Sequence, residues 1–179
     1  MPIVNHPVFI SPDPDARIWR YMDFTKFMSI LENQALYFNR SDRFGDSFEG
    51  TYSRANARLR PYVYHDLIRQ LPDDDSEVGL KQYLLNGVNP VGGHLQQMRA
   101  YVCLNCWHVN NYESEAMWKL YLKSDEGIAI QSTYKRLALS FEEYSDNVYI
   151  GLVRYIDYAS EWMPEGNMFY PFVHKQIAY

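Results

Sequence analysis

The pattern of hydrophobic and polar positions at the start of the chain predicts a strand, a helix and a second strand. Residues 17–22 alternate with a period near two, which indicates a short strand. After Asp23, a plausible N-cap, apolar residues follow at the i, i+3, i+4, i+7 spacing of an amphipathic helix: Phe24, Phe27, Met28 and Leu31. Residues 35–38 are apolar and predict the second strand. Residues 1–16 are rich in proline and predict an irregular lead-in.

The rest of the chain continues this mixture of short elements. The polar residues 39–50 predict a loop, and residues 51–70 lean towards helix. The most apolar stretch, residues 100–108, predicts a central strand. A helix over residues 113–123 capped by Asn110 or Asn111, a strand at 128–130, a helix from Tyr134 and a strand at 148–155 complete the pattern. We expect an α+β fold, a single domain over residues 1–179 with one mixed or antiparallel sheet and packed helices.

Composition and charge narrow the classes of function. The chain has 179 residues, with 17 Lys and Arg against 22 Asp and Glu, so its formal net charge is −5. A net negative charge argues against bulk nucleic-acid binding and against an anionic-membrane binder. No apolar run approaches a bilayer span, and the first residues lack the pattern of a secretory signal, so no membrane association and a cytoplasmic location are expected. The aromatic content of 16% suits a well-filled core or a pocket that stacks on flat ligands.

Several common catalytic motifs are missing from the sequence. Cys103 and Cys106 are spaced as Cys-x-x-Cys, but residues three apart on a strand point to opposite faces, so we predict small buried core residues rather than a redox or zinc site. There is no phosphate-binding glycine loop, no Gly-x-Ser-x-Gly elbow and no pair of histidines at i, i+4. No metal site is therefore expected, and classical hydrolase or metalloprotease chemistry is unsupported.

Charged residues crowd the loop at residues 39–50 beside two phenylalanines. The charged residues are Arg40, Asp42, Arg43, Asp46 and Glu49. In a ligand-facing loop, the arginines would bind phosphate or carboxylate, and the acids would orient hydroxyls or hold a base. From spacing alone, a surface loop of salt bridges is the favoured alternative. Arg54, Arg58 and Arg60 follow and predict a solvated helix face.

A second cluster lies where the predicted central strand ends and the next helix begins. It comprises Trp107, His108, Glu113, Trp118 and Tyr121. A strand end that feeds a helix start is a frequent position for α/β binding sites, and histidine titrates near neutral pH. For Trp118 and Met117, core packing is the favoured alternative, whereas His108 and Glu113 fit a site and a structural role about equally well.

Taken in order, these stretches resemble a bacterial and phage family described only as a domain of unknown function, number two-nine-seven-one. The first signature covers residues 20–21, 31–38 and 42–50, including an Asp-x-Phe-Glu element with Ser47 where the family usually has proline. The second covers residues 106–108, 113–121 and 127–130 and includes Met-Trp-x-x-Tyr. The family pattern continues beyond the equivalent of residues 172–175 into a segment rich in Glu and Arg. The resemblance, with the apolar and aromatic last residues, implies that the C-terminal part is missing.

The order of elements is also similar in outline to ADP-ribosyltransferase-like folds, which hold an NAD-type ligand between two small sheets. By this analogy we expect a nucleotide-type ligand pocket, with NAD as the candidate cofactor, and glycosyl or ADP-ribosyl transfer in phage–host conflict. The expected ligand-binding residues are Arg20, Tyr21, Arg40, Asp46, Trp107, Trp118 and Tyr121, and the expected catalytic residues are His108, Glu49 and Glu113.

Two alternatives stay open at this point. In the first, the chain is a non-catalytic binding or regulatory module, with a small molecule or a protein as its partner. That alternative predicts that Asp46, Glu49 and Glu113 make only structural bonds. In the second, weaker alternative the acids form a magnesium-dependent nuclease-like cluster.

Overall fold

The computed structural model describes residues 3–71, 78, 80, 81, 84, 97–122 and 126–177. The chain divides into two compact units, each made from two separate stretches. The first unit comprises Met1–Phe38 and Leu104–Leu152, and the second comprises Asn39–Cys103 and Val153–Tyr179. The expectation of one domain over residues 1–179 stays a prediction.

The first unit is built on a three-stranded antiparallel sheet. Strand β1 (Arg17–Asp23) lies in its centre, between β4 (His108–Val109) and β5 (Gly127–Thr133). β1 is central because both of its faces are apolar, and it buries Ile18, Trp19, Tyr21 and Met22. The predicted strand at 128–130 is confirmed and is longer than expected, since β5 pairs with β1 along all seven residues.

Three helices belong to this unit: α1 (Phe24–Asn33), α4 (Glu115–Tyr121) and α5 (Tyr134–Leu139). The predicted helix after Asp23 is confirmed, and it ends where Gln34 adopts a left-handed conformation. Its apolar face is not buried, however, because Phe24 and Met28 are about half exposed. The predicted helix from Tyr134 is also confirmed.

The N-cap expected at Asn110 or Asn111 is wrong, because the cap of α4 is Ser114, whose Oγ accepts a hydrogen bond from the backbone N–H of Met117 at 3.4 Å. The backbone of Asn110 serves the sheet instead, because its N–H donates to the carbonyl of Arg17.

The second unit contains α2 (Arg54–Val63), α3 (His65–Gln70), α6 (Tyr170–Val173) and a parallel strand pair, β6 (Arg154–Ile156) with β7 (His174–Gln176). Two further strands of two residues each, β2 (Asn39–Arg40) and β3 (Cys103–Leu104), form a separate pair. The core of the unit is Ile156, Tyr158 and Met163, with Phe48, Tyr52 and Tyr170 packed against it.

The α+β class is confirmed, but the expectation of one mixed sheet is wrong. The described residues form three small sheets: the three-stranded antiparallel sheet, β2 with β3, and the parallel pair β6 with β7. The strand expected at 148–155 is reduced to Arg154–Ile156 and an isolated bridge at Val148. Residues 149–153 between them are not in a strand, and at Gly151 the backbone of Phe9 packs too closely for a side chain.

Two other expectations about strands are wrong. Residues 35–38 are not a strand, and pairing begins only at β2 (Asn39–Arg40). The predicted central strand at residues 100–108 is two short strands, β3 and β4, and β4 lies at a sheet edge. The chain leaves the strand conformation at Asn105, whose side chain forms hydrogen bonds with Arg20, Tyr37 and Trp107.

The expectation that the two cysteines are buried core residues is also wrong. Cys103 and Cys106 are exposed thiols, and neither forms a disulfide.

The expected solvated face of α2 is wrong at one position. Arg60 is buried and forms an ion pair with Glu165, at 2.7 Å between Nη2 and Oε1. Arg54 and Arg58 are exposed, as expected. Of the described helices, none is long and apolar enough to cross a membrane.

Candidate functional site

Arg20 lies in the middle of β1, opposite Ile130, and its guanidinium is partly buried. The Nη1 atom donates to the side-chain Oδ1 of Asn105 and, at 3.5 Å, to the carbonyl oxygen of Cys106. The Nη2 atom donates to the carbonyl oxygen of Tyr37 at 3.4 Å. These bonds come from two different loops, so the guanidinium is held in one orientation.

Asn105 organises the surroundings of this arginine. Its Oδ1 also accepts a hydrogen bond from Trp107 Nε1 at 2.8 Å, and its Nδ2 donates to the Tyr37 carbonyl at 2.9 Å. The guanidinium of Arg20 lies over the Trp107 ring, 5.9 Å from the ring centroid. Sequence reasoning missed Asn105 and Tyr37. The sequence feature that could have identified Asn105 is the presence of a polar amide side chain inside the most apolar stretch of the chain.

Among the described residues, no acid neutralises the charge of Arg20. Within the part of the chain that the structure describes, all of its hydrogen-bond acceptors are neutral amide or carbonyl oxygens. Burial lowers the pKa of Arg20 from its usual value, and the nearby side chains of Cys106 and Tyr121 partly offset that effect. A cation that is partly removed from water and has no counter-charge favours the approach of an anion.

Tyr21 points to the opposite face of β1 from Arg20, because successive strand residues alternate. Its hydroxyl oxygen accepts a hydrogen bond from the backbone N–H of Ser114 at 2.9 Å. Its ring meets the Trp118 ring edge to face at 5.0 Å, and Trp118 Nε1 donates to Glu113 Oε2 at 3.2 Å. The predicted residues of the first unit therefore fall into two groups, and Tyr21, Trp118 and Glu113 form the group that packs α4 onto the sheet.

His108 is paired with Trp19 across the strands β4 and β1, so it lies on the same face of the sheet as Tyr21. The Nε2 atom of His108 is buried and has no hydrogen-bond partner among the described residues. Glu113 is exposed and bonded to Trp118 rather than to this histidine. The structure therefore does not show the His108–Glu113 pair that a general acid–base relay would need.

The three remaining predicted residues, Arg40, Asp46 and Glu49, lie in the second unit. Arg40 is ion-paired with Asp42, with Nε–Oδ1 at 3.1 Å and Nη2–Oδ2 at 2.6 Å, and this contact lowers the pKa of Asp42. Asp46 Oδ1 accepts a hydrogen bond from the backbone N–H of Phe48 at 2.8 Å, which closes a local turn. The expectation that these residues share one pocket with those of the first unit stays a prediction.

Glu49 is the most deeply buried of the predicted residues, at 1% exposure. Its Oε2 is ion-paired with Lys175, whereas its Oε1 is buried and has no hydrogen-bond partner among the described residues. Burial raises the pKa of Tyr158, and the nearby carboxylates of Asp46 and Glu49 raise it further. Each of these acids therefore lies in a structural environment, bonded to the protein or packed in its interior.

Gly50 explains why the backbone after Glu49 is so tightly packed. It has a positive φ of 68°, and a Cβ placed there would come within 2.6 Å of the Phe172 ring. Only glycine fits this combination of conformation and contact.

A cavity of about 500 Å³ lies in the first unit. Its lining is mainly the apolar and aromatic side chains of α5 and the N-terminal segment, and comprises Ile3, Pro14, Tyr134, Lys135, Ala138, Leu139 and Glu142. None of the predicted site residues lines it. Among the described residues there is no group of three or more His, Cys, Asp or Glu side chains placed to hold a metal ion.

Comparison with known proteins adds no further constraint: no family model, no curated protein and no solved structure matches the chain. The resemblance to the family of unknown function, and with it the meaning of the two signatures, stays a prediction.

Proposed function

We propose that this chain binds an anionic, nucleotide-type ligand and that Arg20 binds a phosphate of that ligand. The observation that supports the proposal is the guanidinium of Arg20, which is oriented by neutral groups and has no acidic partner among the described residues. Arginine forms parallel, charge-assisted hydrogen bonds to phosphate, and these bonds are strengthened where the cation is partly desolvated.

The aromatic surroundings of Arg20 suit the rest of such a ligand. Trp107 supports the guanidinium from one face, and Tyr121 lies close enough for its hydroxyl to affect the pKa of Arg20. The Tyr121 side chain is about half exposed, so its ring can stack on a nucleobase. Of the predicted ligand-binding residues, Arg20, Trp107 and Tyr121 are therefore the ones we retain.

We favour binding or regulation over catalysis as the form of this function. Asp46 is bonded to a backbone N–H, Glu49 is buried and ion-paired, and Glu113 is bonded to an indole N–H. Carboxylates in these environments hold the fold together, and a general acid or base must instead reach the reacting group. Because the donor set for a metal is also lacking among the described residues, a nuclease-like activity is not proposed.

Glycosyl or ADP-ribosyl transfer from NAD is the second candidate. It is favoured by His108, whose buried Nε2 lacks a partner among the described residues and is therefore available to a substrate group after local opening. In this form of the function, His108 would act as acid or base at a site separate from Arg20, because the two residues lie on opposite faces of the sheet.

The test of ligand binding is calorimetric titration with adenosine monophosphate, NAD and adenosine. We expect the phosphate-bearing ligands to bind and adenosine to bind more weakly. Arg20→Met should weaken phosphate binding about ten- to a hundredfold, which is the usual contribution of charge-assisted bonds. The matched control is Arg17→Met, because Arg17 is exposed on the same strand and donates to the carbonyl of Asn111.

Absence of phosphate binding to the wild-type chain would refute the proposal, as would an equal loss in both arginine variants. If Arg20→Met does not fold, as judged by circular dichroism, Arg20→Lys replaces it, since lysine keeps the charge but lacks the planar pair of donors. Release of nicotinamide from NAD that disappears in His108→Ala would show cleavage of the glycosidic bond, and an ADP-ribosyl adduct in place of free ADP-ribose would show transfer. Binding without release would support the regulatory form.

A further inference from the structure

The hydrogen bonds of Arg20 occupy a particular part of its guanidinium. An arginine has five N–H donors, and here the Nη1 group donates to Asn105 Oδ1 and to the Cys106 carbonyl. Nη2 donates to the Tyr37 carbonyl, which also accepts from Asn105 Nδ2. The Asn105 amide and the Tyr37 carbonyl thus lie side by side along the terminal edge, formed by Nη1 and Nη2.

On the side edge of the same guanidinium, formed by Nε and Nη2, the Nε donor is left open among the described residues. Among the described residues Nε of Arg20 has no partner, and unlike Nε of Arg99 it is not buried away from solvent. Two parallel N–H donors along one side are the geometry that binds two oxygens of one oxyanion.

Two other arginines show what this side edge binds in the same protein. In Arg40, Nε and Nη2 donate to the two carboxylate oxygens of Asp42. In Arg60, both atoms lie at 2.7 Å from Oε1 of Glu165. The side edge therefore binds a carboxylate in Arg40 and in Arg60, but binds none in Arg20 among the described residues.

We propose that Asn105 is a positioning residue that turns the open side edge of Arg20 towards the terminal phosphate of a nucleoside monophosphate. This inference rests on the proposed function and deepens it by naming the class of ligand. A terminal phosphate carries nearly two charges and three free oxygens at neutral pH, whereas each phosphate inside a dinucleotide carries one charge and two free oxygens. A single uncompensated guanidinium therefore binds the monoester more strongly than the internal phosphates of NAD.

Because Asn105 is neutral, the positive charge of Arg20 stays available to an anionic ligand. Its amide fills the terminal edge of Arg20 without cancelling the positive charge, and it aligns Trp107 and Tyr37 through the same side chain. A carboxylate of the same shape would form an ion pair with Arg20 and would also lose the donor to the Tyr37 carbonyl. Asn105→Asp is therefore the diagnostic change, because it alters the charge and one hydrogen bond with almost no change in volume.

The experiment compares the wild-type chain with Asn105→Asp and with the charge-matched control Asn111→Asp, since Asn111 is exposed in the same unit. Calorimetric titrations use adenosine monophosphate, NAD, inorganic phosphate and acetate as probes. We expect the monophosphate to bind the wild-type chain about tenfold or more tightly than NAD, and Asn105→Asp to weaken it about tenfold or more. The control should change the dissociation constant less than about twofold, which is the size of a screened surface charge effect.

A second readout separates positioning from general destabilisation. The NMR resonance of the Arg20 Nε–H group should shift on addition of the monophosphate to the wild-type chain, and should shift less in Asn105→Asp when the same fraction of each protein is bound, because the side edge is no longer turned towards the phosphate. Should that variant not fold, Arg20→Lys serves instead, and it should weaken monophosphate binding about tenfold because the parallel donors are lost.

The outcomes separate this inference from the proposed function. Equal weakening by Asn105→Asp and Asn111→Asp, or NAD binding as tight as the monophosphate, would overturn the inference and leave Arg20-dependent binding intact. Tighter binding of acetate than of phosphate would also overturn it, by assigning the edge to a carboxylate. Failure of the wild-type chain to bind any phosphate-bearing probe would instead remove the proposed function itself.

Discussion

Replacing Glu165 with Gln should destabilise the second unit strongly, because it removes a carboxylate charge that is ion-paired with the buried Arg60. Arg60 Nε and Nη2 both lie 2.7 Å from Glu165 Oε1, and Asn56 Nδ2 donates to the same oxygen at 2.8 Å. The side chains of Arg60 and Glu165 are only 4% and 6% exposed. Glutamine keeps the shape and one acceptor, so the variant tests the charge rather than the volume.

The expected size of the effect follows from this burial. Breaking a buried pair and leaving one charge uncompensated costs about 3–5 kcal/mol. For a chain of this size the loss corresponds to a decrease in Tm of roughly 6–20 °C. The assay is urea unfolding followed by circular dichroism, in which the midpoint should fall while the slope with denaturant stays the same, since the surface exposed on unfolding is unchanged.

Two comparisons make this prediction refutable. Glu115→Gln removes the same charge from an exposed pair with Lys119, whose side chains are 81% and 75% exposed, and it should cost about 0.5 kcal/mol or less. Combining Arg60→Met with Glu165→Gln should cost less than the sum of the single changes, because neither charge of this pair is then left without the other. A Glu165→Gln midpoint equal to that of Glu115→Gln, or strictly additive losses, would contradict the reasoning.

Two further predictions concern a glycine and an aspartate. Gly50→Ala should lower the free energy of unfolding by about 1–3 kcal/mol, because φ is 68° and the new Cβ would meet the Phe172 ring at 2.6 Å. Thermal denaturation should show almost no change for Gly45→Ala, because a Cβ at that position would have no residue beyond its chain neighbours within 4 Å. Equal losses of stability in Gly50→Ala and Gly45→Ala would refute the argument. The hydroxyl of Ser160 donates a hydrogen bond to Asp157 and lowers the pKa of that carboxyl in the folded protein. The ionised carboxylate therefore stabilises the fold at pH values above the pKa that Asp157 has in the unfolded chain. This stabilisation is lost as the pH falls through the pKa of the folded protein. In NMR titrations, Ser160→Ala should raise the pKa of Asp157 towards its ordinary value, and an unchanged pKa would show that the hydroxyl has no such role.

The elements that could be predicted from the sequence are those whose pattern is local. The alternation at the start of β1, the spacing of apolar residues in α1 and the short apolar run of β5 each specify an element by themselves. The helix α5 begins at Tyr134 and is capped by Thr133, whose hydroxyl oxygen accepts a hydrogen bond from the backbone N–H of Arg136 at 3.3 Å. These elements were found because the interactions that define them lie within a few residues along the chain.

The predicted central strand at residues 100–108 failed because its apolar character reflects a different role. Trp107 packs beneath the guanidinium of Arg20, and Asn105 bonds to it and to the carbonyl of Tyr37, which is 68 residues earlier in the chain. Nothing in the local pattern distinguishes an apolar strand from an apolar loop that packs against a distant cation. Similarly, the pattern of α1 predicted its helix but not its exposure, which depends on what the rest of the fold places against it.

The candidate site shows the same limit at the level of single residues. Arg20, Arg40 and Arg60 are all arginines among aromatic residues, and no local pattern ranks one above the others. The acid that balances Arg40 is two residues away, whereas the acid that balances Arg60 is 105 residues away. Only the folded arrangement shows that Arg20 has neutral partners.

This difference decides which arginine can serve a ligand. At 4 Å, two unit charges in an effective dielectric of about 20 attract by roughly 4 kcal/mol, so an arginine that already holds a carboxylate has little attraction left for a second anion. The charge of Arg60 is balanced by an ion pair with Glu165 inside the second unit, and the charge of Arg40 is balanced by an ion pair with Asp42. Arg20 is held just as firmly, but by an amide and two carbonyl oxygens that leave its charge in place. A structural arginine needs only a fixed orientation. An arginine that recognises an oxyanion needs a fixed orientation together with a charge that no acid balances.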